Sequence, residues 1–291
     1  MDKKVTVVIT HYNDPRIFNC LDSLFLQTRK PNHVLIADGG SSKQLKRNIR
    51  DYIKDKKNYH FSIMRGRCID TRRKVIETLV FNEIWIKNNY ETDIIVWIDS
   101  DEVAFGDWLE KLIGPIEKEK FDFTGGFMIP VCFSTKASSL LSKLESKDLT
   151  DESYIAMGNS AWSTKIFKNI GTFDRSSISK NTDKDNVSGS YHVSDDFDIN
   201  LRAIKVGFKG KIVEAYTLHN QSHINTYRKV LKYFYGQFVR TSMAYFKHKE
   251  GIKKFTKASK KINHPFEIFL LILKFFAFIR GWKEWQSIDI K

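Results

Sequence analysis

The run Asp93-Ile94-Ile95-Val96-Trp97-Ile98-Asp99-Ser100-Asp101 constrains this chain more than any other stretch. Five apolar residues follow Asp93, too few for a helix and suited to a strand buried on both faces, as in a parallel sheet. Asp99 and Asp101 then stand at its carboxyl end. Side chains two apart on extended chain point to the same side, so both carboxylates aim into the crevice beyond the strand ends, where open α/β sheets bind ligands. Hard divalent cations take such oxygens and let substrate phosphates complete the shell. A simple strand-ending turn also recruits Asp and Ser, so this motif needs partners before it means a metal.

The partners come from the segments on either side. Val5 to Thr10 reads as a strand, Pro15 opens a helix carrying Ile17, Leu21, Leu24 and Phe25, and Lys30-Pro31-Asn32 ends it before an apolar run from His33 to Ala37. That second strand finishes on Asp38-Gly39-Gly40-Ser41-Ser42, which puts Asp38 at the same crevice. Phe61 to Met64 is a third short strand, and Arg65 to Asn88 is rich in helix formers. Arg65, Arg67, Arg72 and Arg73 crowd the start of that segment, against the helix dipole, which suggests either an anionic ligand or a solvated basic face. The alternation gives an α/β domain with a largely parallel sheet. No glycine-rich dinucleotide fingerprint or phosphate-loop lysine follows any strand, which excludes the usual dinucleotide enzymes and P-loop ATPases.

Further along, Phe121 to Ile129 carries Gly125-Gly126 inside an apolar run, the pattern of a bulged strand. A polar stretch from Asp174 to His192 without regular period has the length of a lid. Asp195-Asp196-Phe197-Asp198 leads into Ile199, Leu201 and Arg202 at what reads as a helix start, where acids also suit the dipole. Lys211 to Leu218 is a last strand, ending at His219, a ligand candidate because metal-seeking carboxylates already stand at the sheet ends.

In this order the features resemble the family 2 glycosyltransferases, inverting enzymes of the GT-A fold. The resemblance covers residues 5 to about 222: the Val5–Thr10 strand with Tyr12-Asn13, Ala37-Asp38-Gly39-Gly40-Ser41, Arg72, Asp99-Ser100-Asp101, Gly158-Asn159, Gly171-Thr172-Phe173-Asp174, and Asp195-Asp196-Phe197-Asp198-Ile199-Asn200-Leu201-Arg202. It implies a Rossmann-like mixed central sheet flanked by helices, with a C-terminal helical extension. It divides the chain into a catalytic domain, 1–223, with a nucleotide-sugar half (1–101) and an acceptor half (102–223), and a tail, 224–291. It implies a UDP- or GDP-sugar donor, a divalent metal (Mg²⁺ or Mn²⁺), and a glycan or lipid-linked saccharide as acceptor. Thr10, His11, Tyr12, Asn13 and Asp38 then hold base and ribose, Arg72, Asp99 and Ser100 lie with the donor, and Asp99, Asp101 and His219 hold the metal. Asp196 is then the general base of a single displacement, which makes the chain a hexosyltransferase-type enzyme. The pattern departs in two places, with Asp195-Asp196 for the usual Glu-Asp and Arg72-Arg73 for the usual Arg-Asn. The competing reading is an inactive GT-A-like adaptor at a membrane surface.

The formal charge is +14, and residues 226–264 hold eleven Lys or Arg against Glu250 alone. Those cations are interleaved with Tyr and Phe at helical spacing, which matches no nucleic-acid recognition module. Phe266 to Trp282 is almost wholly apolar but too short and too charged to cross a bilayer, which takes about 20 apolar residues. Glu267, Lys274 and Gly281 are expected to form a narrow polar stripe on it, with Trp282 and Trp285 at headgroup level. The tail is therefore expected to lie on an anionic membrane; packing on the domain or in a homodimer is the alternative. Three unpaired cysteines and an N-terminus without a cleavage-site pattern place the expected site on the cytoplasmic face.

Overall fold

A computed structural model describes residues 3–66, 68–83, 91–131, 155–174, 194–221, 224–248 and 265–286, the last with side chains from Ile272 onward. Residues 175–193, which hold most of the expected lid, lie outside the described residues, as does Arg67.

The chain runs β1 (Val5–His11), α1 (Ile17–Phe25), β2 (His33–Asp38), α2 (Lys43–Ile53), β3 (Tyr59–Ile63), α3 (Cys68–Ile76), a π-helical turn (Glu77–Phe81), β4 (Ile94–Asp99) and β5 (Glu102–Ala104). It continues with α4 (Trp108–Glu117), β6 (Phe123–Val131), β7 (Asn159–Ser163), α5 (Thr164–Ile170), α6 (Asp195–Lys205), β8 (Gly210–Asn220), α7 (Tyr227–His248) and α8 (Pro265–Gln286). One sheet takes all eight strands in the order β3-β2-β1-β4-β7-β6-β8-β5. The first four are parallel; β7 runs antiparallel to both neighbours, β8 is parallel to β6, and β5 is antiparallel to β8. The expected mixed sheet is therefore present, and β6 shifts register between Gly125 and Phe127, where the glycine pair sits.

Alternation along the central strands builds a helical layer on each face. Val5, Val7, Ile9, Ile94, Val96 and Ile98 pack on α1, α2 and α4. Val8, Leu35, Ala37, Ile95 and Trp97 pack on α3, α5 and α6. Both β1 and β4 thus bury both faces, which explains their uninterrupted apolar runs. The consequence for function is rigidity: the carboxyl ends of β1, β2 and β4 are held by core on both sides.

Beyond β8, α7 and α8 form a helical hairpin on α6. Phe197 of α6 packs with Val239, Met243 and Ala244 of α7 and Ala277 of α8. Among the described residues no helix is long and apolar enough to cross a membrane.

Candidate active site

Register brings the first residues together. Thr10 of β1 pairs with Asp99 of β4, and His11 pairs with Asp38 of β2. The Thr10 hydroxyl donates to the Asp99 carboxylate at 2.7 Å. Asp38 is fully buried and accepts from the N–H groups of Gly40 and Ser41 at 3.1–3.2 Å, so the turn after β2 is folded around its carboxylate. Asn13 ties the loop after β1 to that turn, since its N–H donates to Ser41 Oγ and its Oδ1 accepts from Ser42 N–H, both at 2.8 Å. Tyr12 projects into solvent between them. His11 is buried, and neither ring nitrogen has a hydrogen-bond partner among the described residues. Burial lowers its pKa, although Asp38 and Asp14 pull the other way. Orphaned buried groups are rare, so the two unpartnered ring nitrogens mark this position out.

The Asp-Ser-Asp turn is fixed differently. After Asp99 the chain does not hairpin back; it crosses to the far edge, where β5 pairs with β8 in the register Glu102 to His219. Asn220 N–H donates to the Asp101 carbonyl at 3.0 Å, and Ser100 is buried beneath the turn. That pairing brings His219 Nε2 to 3.4 Å from the Asp101 carboxylate, with an Arg16 Nη2 at 3.4 Å on the same oxygen. Burial opposes charge on His219, but the bond to Asp101 and the nearby carboxylates raise it to about 9. Burial likewise opposes charge on Asp101, yet the His219 bond, with Arg16 behind it, holds that carboxyl below its ordinary value. Asp101 and His219 therefore form an ion pair, whereas the sequence reading set them together as metal ligands.

Asp99 behaves otherwise. Its side chain keeps 35% of its surface exposed toward the crevice while meeting Thr10 and, at 3.7 Å, Arg72. Among the described residues no three His, Cys, Asp or Glu side chains are gathered closely enough to hold a metal by themselves. Asp101 and His219 alone would offer a cation one carboxylate and one imidazole, and phosphate oxygens would have to complete the shell.

Arg72 is the centre of the other half. Its guanidinium is buried, with Nη1 at 2.8 Å from Asp195 and 2.7 Å from Asp196, and Nη2 facing Asp99. Both acids open α6, where Ser194 Oγ caps the Phe197 N–H. Asp196 also accepts from Met157 N–H at 3.3 Å. Its pKa is raised to about 6, chiefly by burial and also by Asp195 and Asp99, against the pull of Arg72 and Met157. Two of the four arginines expected to crowd this helix start are in ion pairs, Arg72 with these acids and Arg73 with Glu77.

Two acids were given no role of their own by sequence. Glu102 is fully buried; its Oε2 accepts from Thr217 Oγ1 at 2.5 Å and its Oε1 has no partner among the described residues, so burial raises it well above the carboxylate range. Glu102 directly follows the Asp-Ser-Asp motif, which was the available signal. A Cβ at Gly158 would lie 2.6 Å from both Asp99 Oδ2 and Glu102 Oε1, so only glycine lets that backbone pass between them. Asp198 is buried under Arg202 (3.0 Å), Lys247 (2.7 Å) and His248 (2.8 Å), which hold it far below its ordinary pKa despite burial. It clamps α7 onto the helix that carries Asp196.

No protein-family profile matches the chain, and no curated protein matches it in sequence. Solved structures do match in shape. A mannosyltransferase, PcManGT from Pyrobaculum calidifontis in complex with GDP-Man and Mn²⁺, aligns over 98% of this chain and 74% of its own, with TM-score 0.60 and 13% identity. GalNAc-T7 with UDP, GalNAc and Mn²⁺ aligns over 89% of this chain with TM-score 0.55 and 15% identity, and this chain spans 54% of it. S. aureus TarS 1-349 in complex with UDP aligns over 96% of this chain and 80% of its own, with TM-score 0.53 and 16% identity. At such identities shape alone is shared, and the shape is that of the GT-A glycosyltransferases.

Proposed function

We propose that this chain is an inverting glycosyltransferase that moves a hexosyl group from a nucleotide sugar to an acceptor hydroxyl. The observation that carries the reading is the convergence of three acidic sites on one crevice: Asp38 beneath its turn, Asp99 and Asp101 with His219, and Asp195-Asp196 under Arg72. The neighbours bound to GDP-Man, to UDP with GalNAc, and to UDP support the donor class.

The base and ribose would lie over Thr10, His11, Tyr12, Asn13 and Asp38, where the partnerless His11 ring offers one donor and one acceptor. Asp99, Asp101 and His219 would hold a divalent cation, whose charge offsets the negative charge gathering on the departing diphosphate. His219 must lose its proton to serve as a ligand, so donor and cation would bind more tightly as pH rises.

The acceptor hydroxyl becomes acidic as its oxygen bonds to the anomeric carbon. Asp196 would take that proton, and a carboxylate with a pKa of about 6 is both ionised and basic enough near neutrality. Arg72 donates to one of its oxygens and Met157 N–H to the other. Arg72 is thus read as the group that fixes the base. One base without a carboxylate nucleophile gives a single displacement with inversion; retention through a glycosyl-enzyme would need a carboxylate placed to attack. The acceptor class we favour is a lipid-linked saccharide or glycan. Stereochemistry at the transferred anomeric carbon tests the reading: an inverted product supports it, and a retained configuration, or no transfer by a protein that binds donor, refutes it in favour of an inactive adaptor.

A further inference from the structure

Helix α8 carries large apolar side chains on its outer face as well as on the face that meets α7. Toward α7 it presents Ala277, Gly281 and Glu284, all buried. A Cβ at Gly281 would fall 1.8 Å from Ser242 Oγ, so the two helices touch backbone to side chain there. Two members of the expected polar stripe face inward, since Gly281 packs on Ser242 and Lys274 lies over the Phe238 ring at 5.7 Å; the Glu267 side chain lies outside the described residues. Leu273, Phe278 and Trp285 pack on the α7 side, but five other large apolar side chains face outward. Ile272 is 50% exposed, Phe275 61%, Phe276 58% and Trp282 45%, and Ile279 lies between them. Spacings of three and four residues place all five on one helical face.

Helices bury their large apolar residues and expose polar ones when water is the neighbour. A contiguous outward face of this kind marks an interaction surface. Charge decides between its occupants. Arg228, Lys229, Lys232 and Lys283 are exposed on the hairpin, and the sequence joining α7 to α8, residues 249–264, adds six lysines against one glutamate. A second copy would bring the same excess of positive charge to the contact, whereas an anionic bilayer supplies both an apolar layer and the opposite charge.

We infer that the outer face of α8 docks into the interfacial layer of an anionic membrane, with Trp282 at the headgroup level and the surrounding lysines on lipid phosphates. Docking rests on the hairpin alone and stands apart from the sugar-transfer reading. The hairpin is nonetheless fixed to α6 through Asp198, Lys247 and His248, so a docked α8 sets the distance between the bilayer and the Asp195-Asp196 crevice. A lipid-linked acceptor fits that arrangement.

The test is vesicle flotation of the full chain in low salt. Wild type is expected to float with vesicles of equal parts phosphatidylcholine and phosphatidylglycerol, to float poorly with phosphatidylcholine alone, and to release in high salt. Phe275→Ser with Phe276→Ser should weaken flotation at least about tenfold, since two exposed rings no longer enter the apolar layer. Circular dichroism and the urea midpoint of that variant should match wild type, because both rings already face outward. Three results overturn the inference: wild type that ignores anionic vesicles or binds neutral ones equally; a double variant that floats like wild type; or a wild-type dimer by sedimentation that the same substitutions convert to monomer without any vesicle binding.

Discussion

Replacing Arg72 by Leu tests the electrostatic centre of the crevice. The buried guanidinium bonds Asp195 and Asp196 at 2.8 and 2.7 Å and faces Asp99 at 3.7 Å. Removing it strands acids that are 12% and 18% exposed, the situation in which breaking a buried pair costs about 3–5 kcal/mol. For a domain of this size that corresponds to roughly 6–20 °C in Tm. The deficit should depend on pH, and its sign follows from Asp196. An acid whose folded pKa lies above its unfolded value contributes stability present at low pH and lost as pH rises through the folded pKa. Asp196 already stands at about 6 with Arg72 pulling it down, so without Arg72 it rises further. At pH 5 it is largely protonated in both proteins and the deficit is smaller; as pH rises through about 6 it ionises in wild type before it does in the variant, and the deficit grows. Urea unfolding followed by tryptophan fluorescence at pH 5 and pH 8 measures this directly. Arg72→Lys should recover part of the loss, because a point charge cannot span two carboxylates as a planar fork does. An unchanged midpoint, or a deficit equal at both pH values, refutes the reasoning.

Asp196→Asn should leave the fold intact and slow sugar transfer at least about a hundredfold, while wild-type turnover falls as pH drops through about 6. If Asp195→Asn abolishes turnover and Asp196→Asn does not, the base is the neighbouring residue. Asp101→Asn should remove most of the metal dependence of donor affinity, read by calorimetry with and without chelator. Asp198→Asn should destabilise the chain by about 3 kcal/mol near neutrality by removing the buried carboxylate shared by Arg202, Lys247 and His248, of which Lys247 keeps Asp174, read as a lower urea midpoint. The wild-type contribution of Asp198, whose folded pKa is depressed, should persist above the ordinary carboxylate range and disappear only in strong acid.

The crevice was legible where chemistry and strand pattern coincide. The apolar runs of β1, β2 and β4 end on Thr10, Asp38 and Asp99, and strand register then fixes which of these meet. His219 was legible only as the end of a strand; its place beside Asp101 depends on β5, three residues that pair across the sheet and carry no periodic signal. Arg72 reads as a cation crowded at a helix start, and nothing in its neighbourhood announces acids more than a hundred residues away. Glu102 looks like one more turn residue until β8 buries it. The tail misleads for a physical reason: a stripe containing lysine and glycine reads as a water-facing face, but a glycine is also what lets two helices touch, and here close contact with Ser242 leaves Phe275, Phe276 and Trp282 on the outer side.

Metal-dependent donor binding tests the central claim most directly. Calorimetric titration of the full chain with UDP-, GDP- and dTDP-sugars, each in Mn²⁺ and then in chelator, should show at least one donor that binds with the metal and is lost without it. The same donor should bind Asp101→Asn only weakly and bind Asp196→Asn as it binds wild type. Failure of every donor to bind, or equal binding in chelator, would contradict the account.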